Sequence, residues 1–255
     1  MSLLTAHLNL YDILLVIVVS IQAVSVAYMR QPRWKAFLLS LPVPFTLMTL
    51  AIGSPIDATN ILGLFFLLLF THGVRVFYKT LGIPIIPAIA LAALIYCLLS
   101  SLVVPILPRT DTAFWLAWVF TVSLGAFLYL WLPERDEIAY RTELPVWIKM
   151  PMIVVIVVLL VMVRNTIQGF ATVFPMVGVI AVYESRYCLW TIGRQIPVIM
   201  VSIGSMMAVA YLIQPHWGLF LALLAGWSVF VLVFGAFTIQ MWSKIRSSPE
   251  SSLAG

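Results

Sequence analysis

The chain has 255 residues, of which 63% are apolar and only 9% charged, with a net charge of +5. A soluble domain carries roughly 25% charged residues, so these values exclude one, and lipid is the solvent that tolerates such a surface. The surplus of positive charge reads as membrane topology rather than as nucleic-acid binding.

A spanning helix needs about 20 mostly apolar residues, and nine runs meet that need. The first, 11–29, has no basic stretch before it and ends in cations, so it reads as a retained helix rather than a cleaved signal. The second, 35–53, opens with Pro32-Arg33-Trp34-Lys35 and is interrupted by Pro42 and Pro44, which free the carbonyls of Leu38 and Ser40. The third, 59–79, carries His72, Arg75 and Lys79 as one cationic stripe at i,i+3 and i,i+4 spacing. The fourth, 83–107, starts at Pro84, where a first-turn proline costs nothing. The fifth, 113–132, holds Ala113, Ala117, Thr121 and Gly125 at every fourth place. The longest polar segment, Pro133 to Pro145, follows and precedes the sixth run, 146–163.

The seventh run, 167–190, is broken by Pro175, which frees the Ala171 carbonyl. The eighth, 196–214, begins near Pro197. The ninth, 217–242, repeats small residues at Gly218, Ala222 and Gly226, a spacing that lets two helices approach closely, within the chain or between protomers. Trp34, Trp115, Trp131, Trp147, Trp190, Trp217 and Trp242 lie at run ends, where an indole rests in the headgroup zone. The tail 244–255 is short and polar. Cys97 and Cys188 read as small apolar fillers.

Twelve of the fourteen Lys and Arg residues fall in alternate connections and the tail; Arg109 and Arg164 are the other two. Cations are retained on the cytoplasmic side. The N-terminus is therefore expected outside and the C-terminus inside, in an all-α polytopic bundle of nine helices forming a single membrane domain. Internal similarity divides that domain. Pro32-Arg33-Trp34-Lys35 parallels Pro145-Val146-Trp147-Ile148-Lys149. Arg75, Thr80 and Gly82 parallel Arg186, Thr191 and Gly193. Val119-Phe120 parallels Val229-Phe230. Residues 32–132 and 145–243 read as parallel four-helix repeats about an axis along the membrane normal, with 1–31 as an extra helix.

Within the second half, the order Lys149, Arg164-Asn165, Gly169, Phe174-Pro175 resembles the GlpM-type family of small bacterial inner-membrane proteins. The resemblance covers about 90 residues; the first half departs from it, since Phe65-Phe66 follows Gly63 with no proline. It implies a bacterial inner membrane and supplies no reaction or substrate.

Ionisable groups within a bilayer are functional candidates. Glu184 lies roughly 24 Å along its helix from Gln168, by the helical rise, and points away from Arg186. Its partner is expected on the third helix, so His72, Arg75, Glu184 and Arg186 form a candidate site for an anion or a lipid headgroup at the inner mouth. The plainer alternative is an interfacial ion pair with ordinary retention of cations. On the outer face, Asp57, Asn60, Arg164 and Asn165 form a candidate latch or gate, with an Arg164–Asp57 contact expected. The sequence holds no phosphate-binding glycine loop, no HExxH and no cysteine–histidine cluster, so no cofactor or metal is expected. The leading reading is a small secondary transporter or permease in the bacterial inner membrane, with the bilayer and a small solute or lipid headgroup as partners and a homo- or hetero-oligomer allowed. The alternative is an accessory or assembly subunit of a membrane complex without a transport path.

Overall fold

The computed structural model describes residues 10–29, 31–133, 137, 151, 154–155, 158, 162 and 166–246, without the side chains of 32, 33 and 241–246. Regular structure among them is helical throughout: α1 (Leu10–Tyr28), α2 (Pro32–Ser40), α3 (Val43–Ile52), α4 (Ala58–Arg75), α5 (Ile85–Val103), α6 (Asp111–Trp131), α7 (Phe170–Val173), α8 (Met176–Glu184) and α9 (Leu189–Arg246). A wider turn, Val76–Thr80, continues α4. Among the described residues, six segments are long and apolar enough to cross a membrane. Leu98, Leu102, Leu116, Leu130 and Leu232 face outward, more than half exposed, as a lipid-facing surface requires. Most of the sixth run lies outside the described residues. So do Lys149, Arg164, Asn165, the tail beyond 246 and, with them, the superposition of the two proposed repeats.

Both proline breaks fall where the sequence places them. Leu41 and Pro42 separate α2 from α3, and Phe174 and Pro175 separate α7 from α8. The carbonyls at the breaks find partners inside the protein: Ala171, freed by Pro175, accepts the Phe174 N–H at 3.3 Å, and Leu38 accepts the Leu41 N–H at 3.4 Å. The Gln22 amide on α1 donates to the Leu38 carbonyl at 2.8 Å, and the Tyr96 hydroxyl on α5 donates to the Phe170 carbonyl at 2.8 Å. A buried carbonyl without a donor costs about 1–3 kcal/mol, so these bonds together make the breaks tolerable.

The longest helix begins at Leu189 rather than at 196, and it is not straight. Gly218 has φ 76° and ψ 167°, a conformation open to glycine alone at low cost. Met206 and Gly226 would stand about 30 Å apart on a straight helix. A Cβ built on Gly226 would instead lie 2.8 Å from the Met206 carbonyl oxygen. The element is therefore a hairpin of two arms. The small-residue seams serve contacts within this chain. A Cβ on Gly125 would lie 2.9 Å from the Met200 Cβ, and one on Gly204 would lie 2.8 Å from a Val122 methyl. The Trp118 indole donates to the Gly204 carbonyl at 2.9 Å.

At the centre, α4 packs against α5, α6, α7 and α9. Its Phe66 ring stacks on Phe170 with centroids 4.9 Å apart. The two ends of the bundle differ. One gathers residues 53–57, 104–110, 168–169 and 211–218. The other gathers Lys35, Arg75, Lys79, Arg186 and Arg194 and is called the basic end below.

A polar cavity at the end opposite the basic one

The cavity's walls begin with helix caps. Gly53 closes α3 in the left-handed region at φ 68°, which turns the chain into the 53–57 segment. Asp57 then caps α4. Its carboxylate accepts the Thr59 N–H at 2.8 Å, and the Asn60 side-chain oxygen accepts the Asp57 N–H at 2.8 Å, a reciprocal box that satisfies donors at the helix start. The Asn60 amide donates onward to the Thr172 hydroxyl at 3.0 Å. Residues 169–172 fit closely here because position 169 is glycine; a Cβ there would collide with the Thr59 hydroxyl.

Long-range side-chain bonds close the ring. Gln214 on α9 accepts the Ile56 N–H at 2.9 Å and donates to the Ile56 carbonyl at 3.0 Å. Thr110 caps α6 by accepting the Ala113 N–H at 3.3 Å. The Tyr211 hydroxyl donates to the Asp111 carboxylate, and its ring stacks on Phe114 with centroids 3.7 Å apart. Arg109 reaches two ways. Its Nε lies 3.9 Å from Asp57 Oδ2, and its terminal nitrogen donates to the Gln168 side-chain oxygen. Gln168 itself has φ 45°, a left-handed conformation uncommon outside glycine and a mark of local strain.

These groups enclose about 540 Å³, lined by Asp57, Asn60, Arg109, Gln168, Thr172, Tyr211 and Gln214 with apolar contributions from Ile52, Pro55 and Phe114. The volume falls within the range of small-molecule sites. Below the Asn60–Thr172 contact the interior becomes apolar. A narrow crevice lined by Pro42, Phe45, Phe174 and Pro175 runs between the two helix breaks.

The basic end is built differently. Lys35 has no exposed surface, and its ammonium donates to the Glu184 carbonyl at 3.1 Å, at the negative end of α8. Glu184 is 1% exposed. Nearby the Gln195 amide donates to the Ser40 hydroxyl at 2.9 Å. Glu137 receives the N–H groups of Trp190 at 3.1 Å and Thr191 at 2.7 Å, so a carboxylate holds the start of α9, where the dipole favours it.

The two sets of sequence candidates fare differently. Asp57 and Asn60 come together at the cavity, where Arg109 lies beside Asp57; Arg164 and Asn165, and with them the expected Arg164–Asp57 contact, lie outside the described residues. His72 and Arg75 share a face of α4, and the contacts described for them are with the α9 start. The Arg75 guanidinium lies over the Trp190 ring, 4.3 Å from its centroid, and the His72 imidazole approaches Gly193, where a Cβ would lie 3.3 Å away. Arg186 lies over the rings of Tyr183 and Tyr187 at 5.5 and 5.3 Å. The cation beside Glu184 is Lys35. Among the described residues no group of three His, Cys, Asp or Glu is placed to hold a metal.

The sequence reading omitted Gln168, Tyr211 and Gln214, which carry no charge and no motif. Arg109 was visible as one of two cations in the otherwise neutral connections. Comparison with family models, with curated proteins and with solved structures found no match to the chain.

Proposed function

We propose that the protein is a small membrane carrier that admits a polar solute through the cavity around Asp57, Arg109 and Gln168. The observation that carries this reading is the cavity itself: about 540 Å³ of polar-lined space at one end of an otherwise apolar bundle. A scaffold has no use for such a volume, which leaves charged groups short of partners. Two interrupted helices beneath it support the same reading, since breaks of this kind let a bundle open and close around a bound solute.

The proposal includes the topology. The cavity faces outward across a bacterial inner membrane, and the basic end faces the cytoplasm, where retained cations belong. Nine spans in two parallel repeats, with an extra first helix, complete it. The kinship with the GlpM-type family belongs to the same proposal; of its residues, Gly169 and Phe174-Pro175 build the cavity floor and the second break.

Uptake into proteoliposomes is the test. Purified full-length protein is offered radiolabelled amino acids, sugars, polyols and organic acids. The reading expects at least one to enter above empty vesicles and to stop entering with Asp57→Ala combined with Arg109→Ala. Absence of uptake across the whole panel favours the accessory-subunit reading instead.

A further inference from the structure

We infer that the cavity recognises a zwitterion, a solute with a carboxylate and an ammonium a few bonds apart. This rests on the reading of the cavity as a solute site. Arg109 takes the carboxylate and Asp57 Oδ2 takes the ammonium.

Most neutral polar groups of the wall are already committed. Asn60 spends its oxygen on Asp57 and its amide on Thr172. Gln214 spends both ends on Ile56. Thr110 caps α6, and Tyr211 is bonded to Asp111. The capacity left on the described side chains sits on Asp57 Oδ2, on the unused edge of Arg109, on the Gln168 amide nitrogen and on the Ser54 hydroxyl, and the only charged groups among these are Asp57 and Arg109.

The Arg109–Asp57 separation of 3.9 Å exceeds hydrogen-bond length, so the two charges face each other without a direct bond. The Arg109 side chain is 68% exposed, and a pair of that kind contributes at most about 1 kcal/mol. A solute that supplies the missing bonds separates it at little cost.

Charge balance selects the solute further. Asp57 and Asp111 stand at the starts of α4 and α6, where each carboxylate answers its own helix dipole. Among the described residues an anion finds only Arg109 and is repelled by Asp57; a cation meets the reverse. A dipolar solute satisfies both, and Ile52, Pro55 and Phe114 offer its hydrocarbon part an apolar wall.

Thermal unfolding of the detergent-purified full chain tests this with four zwitterions (glycine, L-leucine, L-glutamine and glycine betaine). Leucinamide, N-acetyl-leucine and sorbitol serve as cationic, anionic and neutral controls. At least one zwitterion is expected to raise the Tm at concentrations about tenfold or more below the controls, the worth of one charge-assisted hydrogen bond. Arg109→Gln should abolish the advantage of leucine over leucinamide. Asp57→Asn, which keeps a good helix cap, should abolish its advantage over N-acetyl-leucine. If a control matches the best zwitterion, or if no zwitterion shifts the Tm, the inference is overturned. Sorbitol acting alone overturns it while leaving a solute cavity in place, whereas an empty uptake panel removes the carrier reading itself.

Discussion

The side-chain amide of Gln214 accepts the Ile56 N–H at 2.9 Å and donates to the Ile56 carbonyl at 3.0 Å. One residue of α9 thus holds the segment that leads into the Asp57 cap. Gln214→Leu removes both bonds and leaves the main chain of a buried residue unsatisfied. A loss of about 2 kcal/mol is expected, read as a lower Tm, together with weaker solute binding. Wild-type stability in the variant would mean that water replaces the amide and the cavity wall is not fixed this way.

The break at Pro42 and the amide of Gln22 are coupled. Gln22→Leu should cost about 1 kcal/mol, because the Leu38 carbonyl loses its shorter bond and keeps only the 3.4 Å contact with the Leu41 N–H. Pro42→Ala restores an N–H that can reach the same carbonyl. In that background most of the cost of Gln22→Leu should disappear, a difference that a double-mutant cycle resolves. Strict additivity would contradict the coupling.

Two glycines of α9 predict opposite outcomes. Gly226→Ala puts a Cβ 2.8 Å from the Met206 carbonyl oxygen, whereas Gly235 has open space around its Cβ position. The first substitution should cost about 1–3 kcal/mol through overpacking. The second should be neutral or stabilising by up to about 1 kcal/mol through helix propensity. Denaturation of the two variants side by side checks the hairpin directly.

Lys35 is wholly buried, with its ammonium on the Glu184 carbonyl at 3.1 Å. Lys35→Met should cost about 2 kcal/mol, the range of a hydrogen bond made by a charged group. Lys35→Gln keeps a donor and should cost less. Equal stability of the two variants would show that the carbonyl does not depend on this donor.

Hydropathy and proline placement made much of the fold legible. The breaks at Pro42 and Pro175 follow from a missing N–H, and the turn of the long helix falls at Gly218, at the start of the ninth apolar run. The start of α9 at Leu189 was not legible, because its first turn is held by Glu137 from a distant segment. Charge counting found Asp57 and its end of the bundle. It did not single out Arg109 as a neighbour of Asp57, since hydropathy gives depth along a helix and says nothing of which neighbour a side chain meets. Lys35 reads as a loop cation for the same reason: it stands next to Trp34 at a run end, yet the fold turns it inward onto α8. Gln214 leaves no trace in sequence, because its partner is the main chain of Ile56, 158 residues away.

The central claim is that the polar cavity opens to the outside of the cell while the basic end faces the cytoplasm. Cysteine labelling in intact cells tests it most directly, in a chain whose Cys97 and Cys188 are replaced by alanine. Ile52→Cys places a thiol on the cavity wall, and Lys79→Cys places one at the exposed opposite end. A membrane-impermeant maleimide should modify the first from outside and the second only after the membrane is permeabilised. Modification of Lys79→Cys from outside, with Ile52→Cys protected until permeabilisation, would contradict the account.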